Sequence, residues 1–325
     1  MLKIRKRTAV LLKITLAILV FYLIYKQVIS RSNIEEIQSE FSDNLKRDNL
    51  HYLILCLLLM PLNWFLESIK WRSLVMEFQE LSFIESFKAI MAGLSVGVIT
   101  PQRIGEYGGR VLVLDSQNRV KGILATFLCS LAQNGVNVVF GIIGIFFLNK
   151  RLDLVSEYWI IFLVISVLAV TSLLYVMYRN TSIVKRVVQK YIKVKWLRDG
   201  IYKLVYLKEI SVSLHFKVLL YSILRFAVYL MQYIFILWFF GIDMSLFEGF
   251  TGVSSIYLIQ SGIPLPPIVD VAARAELAYL IWGMYSENVL GILSATYGLW
   301  IINLILPSLL GLFYVIKMNL SNSSD

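Results

Sequence analysis

The chain reads as an all-α polytopic membrane protein, with about six full transmembrane helices and two re-entrant helical hairpins in an inverted internal repeat. Three observations predict this. Of 325 residues, 58% are hydrophobic and the mean hydropathy is +0.73, which places the chain in the bilayer. Apolar runs long enough to cross alternate with basic clusters, which set orientation. Two further apolar stretches are too short to cross, and each breaks at a proline followed by charges.

The elements follow in order. Lys3, Arg5, Lys6 and Arg7 precede an apolar run from Ala9 to Tyr25. This is an uncleaved first span starting in the cytoplasm, because no small-residue cleavage site follows closely. A mildly acidic loop with Glu35, Glu36, Glu40, Asp43 and Asp48 fits the outer face. The second span, about Leu50 to Ile69, delivers Lys70, Trp71 and Arg72 to the inside. The third, about Ile123 to Leu148, carries Ser130, Gln133, Asn134 and Asn137 midway. These amides either line a cavity or hold the bundle together by interhelical hydrogen bonds.

A fourth span covers about Tyr158 to Tyr178. Residues 179–217 then hold ten Lys/Arg against Asp199 and Glu209, with apolar residues such as Val187, Tyr191, Trp196 and Ile201 near helical spacing. This cytoplasmic segment is predicted to lie along the inner membrane surface; docking of a partner is the alternative. The fifth span, about Val218 to Phe240, carries Arg225, Tyr229 and Gln232 on one face. Arg225 either reaches the inner interface or lines a cavity with Gln232. The last span runs from Val289 to Ile316 and returns Lys317 inside. Six crossings put both termini in the cytoplasm of a bacterial-type inner membrane.

The first hairpin, 82–115, organises the rest. From Ala89 to Ile99 there are eleven mostly apolar residues, where a crossing needs roughly 20. Ala89, Gly93 and Gly97 recur every four residues, so one face is small and admits a neighbouring backbone. Pro101 breaks the helix. Gly105 loosens the restart, and Arg103, Glu106 and Arg110 follow, charges that a lipid-facing span would reject. Backbone broken at membrane depth persists only where protein buries it or water reaches it. The stretch is therefore predicted to re-enter and line a polar cavity.

A second copy lies 163 positions on. Residues 245–264 align without gaps on 82–101, with identities Ser82/Ser245, Glu85/Glu248, Phe87/Phe250 and Pro101/Pro264. With one inserted residue, Glu106 meets Asp270 and Arg110 meets Arg274. The second hairpin, 245–284, continues past Glu276. The two repeats span about 50–148 and about 213–316 of a single membrane domain, 1–325. Three crossings separate the hairpins, so the second copy enters from the opposite side.

Several function classes drop out. Cys56 and Cys129 lie in apolar segments, and His51 and His215 at membrane edges, so no disulfide framework, metal site or cofactor is expected. Gly105, Gly108 and Gly109 follow no strand and lack a Walker lysine pattern. The net charge of +10 sits beside spans and calls for anionic lipid rather than nucleic acid. No serine or cysteine has a nearby base, so no enzyme is expected.

What remains is a charged constellation: Arg103, Glu106, Arg110, Asp270, Arg274 and Glu276. The i,i+4 acid–arginine pairs either neutralise each other near an interface or present arginines to a phosphate, which a guanidinium grips with two parallel bonds. Arg103 has no acid at i+4 and is expected to be the freest. Packing alone has no need of matching polar posts in both halves, which favours a binding role.

The run WRSL at 71–74, then SFIESF, then TPQRIGEYGGRVLVL resembles the membrane domain of bacterial lysylphosphatidylglycerol synthetase/flippase proteins and their stand-alone flippase-like relatives. Pro101, Arg103, Gly105, Glu106 and Arg110 are the matching positions. The resemblance implies movement of a phospholipid, anionic or aminoacylated, between leaflets. In two-domain members a cytosolic transferase makes that lipid from aminoacyl-tRNA. This chain stops at Asp325 without that domain, so synthesis is not carried over, and a separate lipid-modifying enzyme is a second candidate partner. A secondary transporter of a small anionic solute, or an accessory protein recruiting such an enzyme through 179–217, are the alternatives.

Overall fold

The computed structural model describes residues 49–98, 103–152, 211–262 and 267–321, with isolated positions elsewhere. The expected first span, nearly all of the fourth, most of the basic segment, Pro101 and Pro264 lie outside the described residues.

Every described element is helical. In order they are α1 (Leu50–Val75), α2 (Phe83–Gly97), α3 (Gly105–Arg110) running into a 3₁₀ turn (Val111–Val113), α4 (Arg119–Leu152), α5 (Val212–Phe239), α6 (Leu246–Gly262), α7 (Pro267–Trp282) and α8 (Val289–Trp300). A π turn (Ile301–Ile305) joins α8 to α9 (Leu306–Ser321). Among the described residues, four stretches are long and apolar enough to cross a membrane: Leu50–Val75, Arg119–Lys150, Val212–Phe239 and Val289–Ile316. They correspond to the second, third, fifth and last expected spans. By contrast α2 has 15 residues, about 22 Å at the helical rise, which is short of a hydrocarbon core of about 30 Å.

Local chemistry explains where α2 and α6 begin. Ser82 Oγ accepts from the Glu85 amide at 3.2 Å, and Glu85 Oε2 accepts from the Ser82 amide at 2.8 Å. Ser245 and Glu248 repeat the arrangement at 3.2 and 2.9 Å. The two serine–glutamate identities of the alignment are therefore two capping boxes, each satisfying amides that a helix start leaves unpaired. Pro61 lies inside α1 without ending it; membrane helices tolerate this when neighbours satisfy the freed carbonyl.

In the bundle, α1 packs along α5, α3 folds back on α2, α2 lies on α9, and α6 lies on α4. Glycines set the last two contacts. A Cβ at Gly311 of α9 would strike the Met91 carbonyl and Ser95 Oγ of α2. A Cβ at Gly141 of α4 would strike Leu258 and come within 3.0 Å of the Ser254 carbonyl of α6. Met91 and Ser254, like Ser95 and Leu258, stand 163 positions apart, the offset of the sequence alignment. One apolar cluster gathers α1, α2 and the start of α4 around Trp64, Trp71, Ile90 and Leu94. A second gathers α5 to α8 around Leu237, Phe239, Trp282 and Ile292. Large apolar side chains such as Leu58, Val139 and Phe216 point outward, as a lipid-facing surface requires.

Candidate functional site

The site is built where α3 folds onto α2. Ideal Cβ atoms at Gly93 and Gly97 would lie 2.6 Å from Arg110 Cγ and 2.5 Å from Glu106 Cγ, and one at Gly109 would lie 2.6 Å from the Ala92 carbonyl. The small face expected from Ala89, Gly93 and Gly97 is thus the floor over which Arg110 and Glu106 are laid. Thr100 pins the break: its Oγ1 donates to the Gly97 carbonyl at 3.0 Å and accepts from the Gly105 amide at 2.8 Å. Arg103 has φ 57°, the one positive value at a non-glycine residue among those described. Such a conformation costs about 1–3 kcal/mol and persists where the surroundings impose it.

From this turn a ladder of alternating charge runs inward. Arg103 Nε pairs with Glu106 Oε1 at 2.5 Å, and Glu106 Oε2 accepts from Arg110 Nη2 at 3.0 Å. Arg110 Nη1 donates to Glu67 Oε1 at 2.8 Å. Glu67 Oε2 receives Lys70 Nζ and Arg225 Nη1, each at 2.7 Å. Side-chain exposure falls along it, from 44% at Arg103 through 12% at Glu106 to 3% at Glu67 and 1% at Lys70.

Neutral partners complete the inner end. Arg225 donates through Nε to Asn63 Oδ1 at 2.8 Å and through Nη2 to the Tyr229 hydroxyl at 3.2 Å. Its guanidinium lies 5.1 Å from the Trp64 ring centre, within cation–π range. Asn63 Nδ2 reaches Asn303 in the π turn at 3.4 Å. Lys70 Nζ donates to Gln133 Oε1 at 3.3 Å, and Gln133 Nε2 donates to the Ser222 carbonyl at 3.2 Å. The network therefore joins α1, α3, α4, α5 and the π turn.

Its charge does not balance. Among the described residues, Arg103, Arg110, Lys70 and Arg225 face only Glu106 and Glu67. Buried charge without a counter-charge costs several kcal/mol. Arg110 Nε is also buried without a hydrogen-bond partner among the described residues.

Several expectations change. Arg103 is the most exposed cation of the ladder but is not without a partner: its left-handed turn accompanies a pairing with Glu106 at i+3 that i,i+4 spacing does not anticipate. Arg225 turns inward and pairs with Glu67 at 8% exposure. Lys70 does not flank its span in water; α1 continues to Val75 and buries it against Glu67. The Glu106–Arg110 pair forms as expected.

Gln232 is buried and donates to the Cys56 carbonyl at 3.0 Å. Asn137 accepts from Gln133 at 3.5 Å, while Asn134 is exposed. In the second hairpin, Arg274 donates to Gln260 Oε1 at 3.0 Å and Glu276 is exposed; the Asp270 side chain lies outside the described set. Sequence reasoning missed Glu67 and Asn63. The signal was there: an acid within an apolar span, with Asn63 four residues before it and Lys70 three after.

No curated protein and no solved structure matches the chain. The family description lysylphosphatidylglycerol synthase TM region matches residues 10–311. That match takes in every element of the ladder, and this multi-pass membrane protein belongs to the lysylphosphatidylglycerol synthase TM region family.

Proposed function

We propose that the protein moves a phospholipid between leaflets, holding the headgroup phosphate at the outer end of the buried charge ladder while the acyl chains stay in the bilayer. The observation that carries this reading is the surplus of two positive charges, among the described residues, in a network reaching from half-exposed Arg103 to fully buried Lys70. A bound phosphate supplies the missing negative charge. Arg103 meets it first, Arg110 Nε donates to it, and Glu106 keeps both arginines in register. From the second hairpin Asp270, Arg274 and Glu276 engage an aminoacyl or other cationic part of the headgroup. Family membership supports a lipid-related role.

The alternating-access scheme rests on the repeat. The duplicated capping boxes support it, as do the two glycine contacts at a common offset. In this scheme the hairpins break at Pro101 and Pro264, enter from opposite leaflets and expose the polar cavity to each side in turn. Asn134 and Asn137 border the cavity. Both termini lie in the cytoplasm, and the protein performs no covalent chemistry.

Reconstitution tests the reading. Proteoliposomes carrying a labelled anionic or aminoacylated phospholipid are exposed to a membrane-impermeant reagent that counts outward headgroups. Wild type should equilibrate the label at least tenfold faster than Arg103→Ala, with the variant melting at an unchanged temperature. Equal rates for the two proteins across the lipid panel overturn the proposal. Uptake of soluble phosphate without lipid movement replaces the lipid with a small anionic solute.

A further inference from the structure

A second candidate site lies at the far end of α1. Asn49 precedes Glu67 by 18 residues, about 27 Å along a helix. Here a cavity of about 530 Å³ is lined by Asn49, Tyr52, Trp238, Asp243 and Met244. Tyr52 comes from the first turn of α1, Trp238 from the last turn of α5, and Asp243 and Met244 from the loop leading into α6.

The walls are held in place before any ligand arrives. The Tyr52 and Trp238 rings meet at 5.2 Å between centres and 55° between planes. Phe235 backs both, at 6.2 and 5.9 Å. Trp238 Nε1 donates to the Met244 carbonyl at 3.1 Å, which ties the indole to the loop. Gly241, at φ 72°, turns the chain so that the loop folds back over the helix end. Asn49 Nδ2 reaches the Trp238 carbonyl at 3.4 Å, joining α1 to α5.

Three sources of negative potential converge on this space. Aromatic faces attract cations through their quadrupoles. The last turn of α5 presents the negative end of its helix dipole. The Asp243 carboxylate has no ion pair or hydrogen bond among the described residues. Tyrosine and tryptophan at a membrane interface need no explanation beyond the headgroup belt. A carboxylate beside them, in a cavity and without a cationic partner among the described residues, is not part of that belt. A small inorganic cation would use the carboxylate and leave the rings idle, whereas an alkylammonium uses both.

We propose that this cavity binds an organic ammonium group, carried by a lipid headgroup or by a free amine. The site stands independently of the phosphate reading, since it shares no residue with the charge ladder.

Purified full chain in detergent, titrated with tetramethylammonium chloride and followed by tryptophan fluorescence against a sodium chloride control, tests this. A saturable change is expected, weakened at least tenfold in Asp243→Asn and in Tyr52→Leu, retained in Asp243→Glu, and unaltered in Arg103→Ala. Competition by phosphatidylcholine in mixed micelles but not by free choline identifies a lipid headgroup; the reverse identifies a free amine. Absence of a saturable change in wild type, or equal binding by wild type and an Asp243→Asn variant with unchanged melting temperature, overturns the proposal.

Discussion

Arg110 Nη1 and Glu67 Oε1 meet at 2.8 Å across 43 positions of sequence, with side chains 4% and 3% exposed. This contact ties α3 to the long helix α1 and makes one carboxylate the counter-charge for three cations.

Removing that carboxylate should be severe. Glu67→Gln leaves Lys70, Arg110 and Arg225 buried around a neutral amide of nearly the same shape. Breaking a buried pair in this way typically costs about 3–5 kcal/mol. Thermal unfolding in detergent should show a large fall, with Glu67→Asp intermediate. A melting temperature unchanged in Glu67→Gln would mean that the three cations find other partners.

Arg103 allows function to be separated from fold. Arg103→Gly removes the ion pair with Glu106, worth about 0.2–1 kcal/mol at a half-exposed position. It also relieves the left-handed backbone, which glycine adopts freely. The two changes oppose each other, so stability should stay within about 1 kcal/mol of wild type. Lipid movement in proteoliposomes should nevertheless slow at least tenfold. If stability collapses instead, Arg103 is a structural residue.

Glycine positions should divide by what surrounds them. A Cβ at Gly311 collides with the Met91 backbone and one at Gly141 with Leu258 Cβ of the neighbouring helix, whereas Gly108 and Gly135 have nothing within 4 Å of that position. Gly311→Ala and Gly141→Ala should lose about 1–3 kcal/mol from forced separation of the packed helices. Gly108→Ala and Gly135→Ala should be neutral or gain up to about 1 kcal/mol from helix propensity. Parallel melting curves of the four variants decide the point.

The cap of α2 carries a pH dependence. Hydrogen bonds from the Ser82 hydroxyl and amide hold the Glu85 carboxyl below its ordinary value. Because the folded value is the lower one, the stabilisation is fully present above the unfolded carboxylate range, near pH 4.3. It is lost as pH falls through the depressed folded value. Ser82→Ala should cost about 0.5–2 kcal/mol at neutral pH and soften the acid-side fall in melting temperature. Equal acid sensitivity in wild type and variant would show that other carboxylates dominate.

Much of the scaffold was legible because bilayer constraints are local. A run of apolar residues either spans about 30 Å or does not, and four expected spans recur as α1, α4, α5 and the α8–α9 pair. The Gly93–Gly97 face was legible for the same reason, being settled within a turn or two of helix, and the serine–glutamate identities were noted without being recognised as caps. The inner ladder was not. Lys70 and Arg72 look like a cytoplasmic flank, and the two arginines that share Glu67 with Lys70 lie 43 and 158 positions away from it, beyond the reach of local spacing. Nor does side-chain spacing encode the sign of φ at Arg103, which turned the residue expected to be free into a partner of Glu106.

The glycine contacts constrain how such a bundle can move. The arm α2 leans on the pillar α9 and the arm α6 on the pillar α4, each pillar distant in sequence, and at each contact a glycine lets the neighbouring helix come close. Neither arm can therefore tilt without dragging its pillar or skating along it. Interlaced this way, an early helix is braced by a late one and a late helix by an early one, like clasped hands rather than two doors.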